Sequence, residues 1–260
     1  MGRLIARAGV CAHTIGVPGT TIIQFLFGLV GTERNLWRWF TEAPTPSPEP
    51  LPFQKSTVYA LLKNPHLNWR RFLLALSDVT IPWLRPLTQR DAVFIVDDSL
   101  FDRHRRRAVD FLSKVYDHGQ NRYRWGFRWL TMGWSDGATF LPILFSLVGS
   151  RKAHNRRQAT VSAIDSRTVG ARRRREAEEA APTLVVRALQ DALRTAITVR
   201  FVLFDQWFTT GKLAADIVRT TGLDVIGMVE ASPLKPRNYH GQTSARRLRS
   251  GCRCINAVPA

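Results

Sequence analysis

Two short apolar runs that each stop at a carboxylate constrain this chain more than any other feature. AVFIV (92–96) ends at Asp97 and Asp98, and VRFVLF (199–204) ends at Asp205. β-Branched and aromatic runs of this length, bounded by acids, read as buried strands with a functional end. GFRWLTMGW (126–134) and ATFLPILFSLV (138–148) are two further strand-like runs. Ser135, Asp136 and Gly137 between them form a tight-turn sequence that predicts an antiparallel hairpin. Leu184–Ile197 and Thr209–Thr221 carry helical periodicity, the second stopped by Gly222, and Leu223–Val229 reads as one more strand. The expected order from Asp91 is strand, strand, strand, helix, strand, helix, strand, a mixed α/β pattern. Carboxylates at neighbouring strand ends of such a sheet converge on one edge, where ligands sit and a divalent ion can be shared. An Asp after a strand also serves to cap the next turn or helix, and Asp205 precedes a helix, so spacing alone leaves both roles open.

Upstream of Asp91 the pattern is helical. Ile22–Phe40 is apolar and reads as a helix or helical pair, while Ser56 and Asn68 are expected N-caps for STVYALLKN and NWRRFLLALSDVTIPWL. Between them TEAPTPSPEPLPF (41–53) carries five prolines, which forbid a helix and predict an extended linker. The region 1–90 is thus expected to be a separate helical unit. Arg151–Arg175, basic and poor in apolar residues, reads as a loop or an exposed helix.

Composition narrows the partner. Lys+Arg 38 against Asp+Glu 20 gives a net charge of +18, which points to a polyanion, nucleic acid ahead of an anionic membrane surface. An Arg-rich coding bias is the bland alternative. A hydrophobic fraction of 45% argues against wholesale disorder. The three cysteines, Cys11, Cys252 and Cys254, build neither a disulfide framework nor a zinc site of ordinary spacing, and indicate a reducing compartment. Thr21–Val30 is a clean apolar stretch of about ten residues, short of the roughly 20 that span a bilayer, so a cytoplasmic location without membrane attachment is expected.

FIVDDSLFDR (94–103), RWGFRWLTMGWSDGATFLPILFSL (124–147) and VLFDQWFTTGKLAADI (202–217) occur in that order. Together they resemble DDE transposases of bacterial insertion sequences, in particular the insertion-sequence-four-like group, from about Pro50 to Gln242. The resemblance implies an RNase H-like catalytic domain over 91–242, preceded by a helical region 1–90 that binds transposon ends. It implies Asp98 and Asp205 as catalytic metal ligands, with Asp97 as a supporting neighbour; the exchange of Asp97 and Asp98 stays open. Mg2+ or Mn2+ is the implied cofactor, and double-stranded DNA, as transposon ends and target, is the implied partner. A homodimer on DNA in the bacterial nucleoid follows from the same family. The implied chemistry is hydrolysis of a phosphodiester, then attack of the freed 3′-hydroxyl on target DNA.

The chain departs from that family at its third acid. The family's glutamate sits on a later helix in a tyrosine, arginine, glutamate, lysine signature, and none of Tyr59, Tyr116, Tyr123 and Tyr239 has an arginine three residues on. The stretch 243–260 is Arg- and Cys-containing and atypical, so a core incomplete at its C-terminus is expected, as after a frameshift near Thr243. Glu230 is a poor substitute, and Glu176, Glu178 and Glu179 read as a solvated, salt-bridged helix face. Three functions follow: a cut-and-paste transposase with impaired catalysis, a non-catalytic DNA-binding remnant or repressor, and an RNase H-like nuclease.

Arg103, Arg105, Arg106 and Arg107 follow the first acids, and Arg122, Arg124 and Arg128 flank the hairpin, so they are candidates to line DNA, against the alternative of a solvated basic face. Trp125, Trp129, Trp134 and Trp207 fit core packing better than base stacking. His118 is better taken as structural than as a ligand.

Overall fold

The structure is a computed structural model that describes residues 16–42, 51–88, 90–105, 109–117, 119–158, 164–205, 208–229 and 253–256. Arg106, Arg107, His118, Trp207 and Glu230 lie outside these residues. The chain divides into two compact units: 1–76 with 161–175, and 77–160 with 176–260. The helical unit therefore draws on two separated stretches, and the division after residue 76 falls within a helix.

In the first unit lie α1 (Gly19–Val30), α2 (Leu36–Thr41), α3 (Lys55–Lys63) and the start of α4 (Trp69–Thr88). Ile22, Ile23, Phe53, Val58, Leu61 and Leu67 are buried together, with Phe25, Phe40 and Trp69 packed around them. Asn68 begins α4 as expected, its Oδ1 accepting from the Arg71 amide at 3.1 Å. Ser56 is not the cap of α3, because that helix starts at Lys55 after Gln54, which makes no side-chain cap bond. The basic stretch contributes α5 (Val169–Glu176), tied to this unit by the Gly170 amide donating to the Pro65 carbonyl at 2.8 Å. A Cβ on Gly170 would lie 3.0 Å from Pro65 Cβ, so a side chain there would press on Pro65.

The second unit is built on a mixed sheet. Its strands are β1 (Val93–Asp102), β2 (Ser113–Asp117), β3 (Arg122–Ser135), β4 (Phe140–Val148), β5 (Phe201–Phe204), β6 (Asp224–Val229) and β7 (Arg253–Asn256). The order is β2-β3-β1-β5-β6-β7, with β4 also paired to β3. β1 is antiparallel to β3 and parallel to β5, which is parallel to β6. Three antiparallel strands followed by parallel additions on the other side of β1 make this the RNase H-like arrangement. Helix α6 (Ala181–Leu193) precedes β5, and α7 (Gly211–Thr221) joins the parallel β5 and β6; α6 packs on α7 and β4, and α7 on β6.

The expected hairpin is present: Asp136 Oδ1 accepts from the amides of Ala138 and Thr139, and Gly137 turns the chain at φ +83°. Gly222 ends α7 in the left-handed region, as its sequence position predicts. Two elements differ from expectation. β1 does not stop at the acids but runs through them to Asp102, because β3 offers a partner for every residue from Val93 onward. β2 lies between Arg103 and Arg124, where no strand is expected from the sequence; Ser113 and Val115 are buried while Lys114 and Tyr116 are exposed, an alternation masked by the charges around it. Glu176 also differs, being buried rather than solvated, while Glu178 and Glu179 do form ion pairs, with Arg156 and Arg187.

Phe94, Val96, Val202, Phe204, Met132 and Trp134 are buried on one side of β1, β5 and β3, and carry the strands on which the acids sit. Phe94 has no exposed surface, so Phe94→Ala is expected to cost about 3–5 kcal/mol in denaturant unfolding, as for other buried aromatic truncations. A loss below about 1 kcal/mol would show that this layer is not the core.

Candidate acidic metal site

Register decides which acids meet. β1 pairs with β5 so that Val93, Phe94, Ile95 and Val96 lie beside Phe201, Val202, Leu203 and Phe204. The next level sets Asp97 beside Asp205, and side chains at one level of a parallel pair point to the same face. The parallel pairing ends at Val96, so both carboxylates stand where the strands part.

The electrostatics agree with the register. The Asp97 carboxyl is pushed above the usual carboxylate range, first by loss of solvent around it. The Asp98 backbone amide opposes this by donating to it, the charges of Asp98 and Asp205 raise it again, and a hydrogen bond from Ser99 lowers it. Asp97 and Asp205 are thus close enough to repel, and a cation between them would relieve that repulsion.

Asp98 projects to the opposite face, the one that carries Phe94 and Val96. Its carboxylate, with a side chain only 12% exposed, forms an ion pair with Arg128 of β3. A carboxylate against an apolar layer needs such a counter-charge. Four residues on, Asp102 repeats the device with Arg124, which also approaches Asp117 at 3.6 Å.

Asp205 does not cap the following helix. Its backbone carbonyl accepts from the Phe208 amide at 3.1 Å and from Thr209 Oγ1 at 3.0 Å, tying down the turn. The cap of α7 is Thr210, whose Oγ1 accepts from the Leu213 amide at 3.3 Å. Thr209 is seated against β6, where a Cβ on Gly227 would lie 2.5 Å from Thr209 Oγ1. Thr209 and Gly227 support the acid turn, and nothing in their local sequence marks them.

The expected basic residues fall into two groups. Arg124 and Arg128 are neutralised by carboxylates, and Arg122 stands opposite Asp117 in the β2–β3 ladder. Arg103 and Arg105 are exposed, and Arg103 lies over the Phe101 ring at 4.2 Å. Trp134 is fully buried, and Trp129 is half-buried, stacked on Phe145, so both pack as expected. Trp125 is half-buried and carries cations on its ring, from Lys114 at 5.7 Å and Arg157 at 5.2 Å.

Oxygen donors from two carboxylates suit a hard divalent cation such as Mg2+ or Mn2+. Among the described residues no group of three or more His, Cys, Asp or Glu side chains forms a candidate metal cluster.

A family model for the DDE superfamily endonucleases matches residues 47–251, so the chain belongs to that family. The match continues past Gln242, the point where the resemblance in sequence fades. Comparison with curated proteins finds no match. Domains of this family act on DNA and generally use divalent metals, a transposase or nuclease type of function. Among the described residues no helix is long and apolar enough to cross a membrane.

The raised Asp97 pKa has a sign that can be measured. The folded chain holds this proton more tightly than the unfolded chain, so ionised Asp97 costs stability above the ordinary carboxylate range, and that cost disappears as the pH falls through it. Asp97→Asn is expected to melt higher than wild type at pH about 7, with the gain shrinking towards pH about 3. Equal melting temperatures of variant and wild type at both pH values would contradict the raised Asp97 pKa.

Proposed function

We propose that this chain is a cut-and-paste DNA transposase of an insertion sequence, acting through strand cleavage and transfer at a carboxylate-held divalent cation. The observation that carries the proposal is the charge coupling of Asp97 and Asp205 at one level of the parallel β1–β5 pair. The family supplies the substrate class, DNA, and the net charge of +18 suits it.

In this proposal Asp205 and one acid of the Asp97–Asp98 pair hold Mg2+ or Mn2+. The resemblance assigns that role to Asp98. Register and charge coupling support Asp97 instead, with Asp98 held by Arg128 and steadying the strand. A bound divalent cation supplies charge stabilisation for the attacking and leaving oxygens of phosphoryl transfer. The protein's own part is to fix the carboxylates on adjacent strands and to hold the phosphate backbone with unpaired cations. The end-processing chemistry of such elements pairs two ends, which calls for a homodimer on DNA.

A second function, DNA binding without chemistry, as in a remnant or repressor, is favoured by the two-carboxylate set among the described residues. One experiment separates the two. Duplexes bearing the element's terminal repeats are incubated with the full chain and Mg2+ or Mn2+, and both nicking and gel-shift binding are read. A transposase gives metal-dependent nicking that Asp97→Ala and Asp205→Ala each reduce by at least about 100-fold, with binding retained. Binding with no nicking in either metal establishes the binding-only function. Loss of nicking in a folded Asp98→Ala chain, with Asp97→Ala active, would return the ligand role to Asp98.

A further inference from the structure

Pairing across the sheet puts every second residue on the face that carries Asp97 and Asp205. On β1 these are Ser99 and Phe101, on β3 Thr131, Trp129, Phe127, Trp125 and Tyr123, and on β2 Lys114 and Tyr116. Phe127 is buried with Phe111, Leu112 and Ala177, and Phe101 and Trp125 pack against them, so the open part of this face is its Tyr123 end. The opposite face carries the neutralised arginines, Arg124 with Asp102 and Arg128 with Asp98. The cations on the acid-bearing face are held differently. Arg103 lies over Phe101, and Lys114 and Arg157 both lie over Trp125. Among the described residues none of these three pairs with a carboxylate. The Arg157 guanidinium also donates to the His104 carbonyl at 3.4 Å, which fixes its position further.

Beyond Trp125 the same face ends in two tyrosines. Tyr123 is 69% exposed and meets Tyr116 edge to face at 5.2 Å between ring centroids. A large aromatic this exposed, set in a ladder and followed by cations already ordered on rings, matches what binds unpaired nucleic acid: bases stack on the ring and phosphates meet the cations. A duplex hides its base faces, so an exposed tyrosine ring gains little from it.

We propose that the Tyr123 end of this face binds a single-stranded stretch of DNA, with Tyr123 stacking on a base and Arg103, Lys114 and Arg157 contacting its phosphates. The inference rests on the DNA-processing function proposed above and adds to it a single-strand site.

The test is fluorescence anisotropy of the full chain with labelled oligo-deoxythymidine of about 20 nucleotides, beside a duplex of equal length, with folding checked by thermal melting. Tyr123→Ala is expected to weaken the single strand by about 5- to 100-fold and the duplex by less than about 2-fold, while Tyr123→Trp retains binding. Lys114→Gln is expected to lower the slope of log affinity against log salt by about 0.7 on the single strand, one lost phosphate contact. Unchanged single-strand affinity in folded Tyr123→Ala overturns the proposal, and so does an equal loss on both probes. Metal-dependent nicking that persists beside an unaffected Tyr123→Ala leaves the transposase function standing and removes only this site. A wild-type chain that binds neither probe removes both.

Discussion

The alignment of β1 on β5 is the constraint on which the rest of this protein depends. Four consecutive parallel pairs, from Val93 with Phe201 to Val96 with Phe204, leave Asp97 and Asp205 at the same height and on the same face where the strands separate. Side chains alternate along a strand, so a slip of one residue would send one carboxylate to the core side and dissolve the pair. Phe94, Val96, Val202 and Phe204 fix that alignment because they fill one buried layer and have no alternative place to go. The acids gain their position from apolar neighbours that take no part in the chemistry.

The two faces of the sheet then take opposite electrostatic solutions. On the core side Asp98 and Asp102 are balanced by Arg128 and Arg124, as partly buried charges require. On the other side burial and the charges of Asp98 and Asp205 hold the Asp97 carboxyl raised, a cost that a functional site bears. The cations there rest on aromatic rings in place of carboxylates, and so keep their charge available to a polyanion. One sheet thereby separates charge spent on folding from charge kept for a ligand.

Much of this was legible in the sequence. The apolar runs ending in acid, the Ser135–Asp136–Gly137 turn and the Gly222 stop announce β1, β5, the β3–β4 hairpin and the end of α7, because each depends on local chemistry. The DDE family was legible too, since three phrases carry it in order. Register was not: whether Asp97 or Asp98 shares a face with Asp205 depends on how two distant strands align, and adjacent acids look identical until that is known. β2 hid for a related reason, since its alternation of Ser113, Lys114, Val115 and Tyr116 is short and surrounded by arginines. Nor does local sequence tell an arginine that neutralises an acid, such as Arg124, from one left for a ligand, such as Arg103; only the cross-strand partners do.

The central claim, that Asp97 and Asp205 share one divalent cation, is tested most directly by locating Mn2+ in crystals of the chain by anomalous scattering. A single strong peak within about 2.5 Å of carboxylate oxygens from both residues, with Asp98 still on Arg128, is the predicted result. A peak on Asp98 with Asp97 turned away, or two carboxylates facing opposite sides of the sheet, would contradict the account.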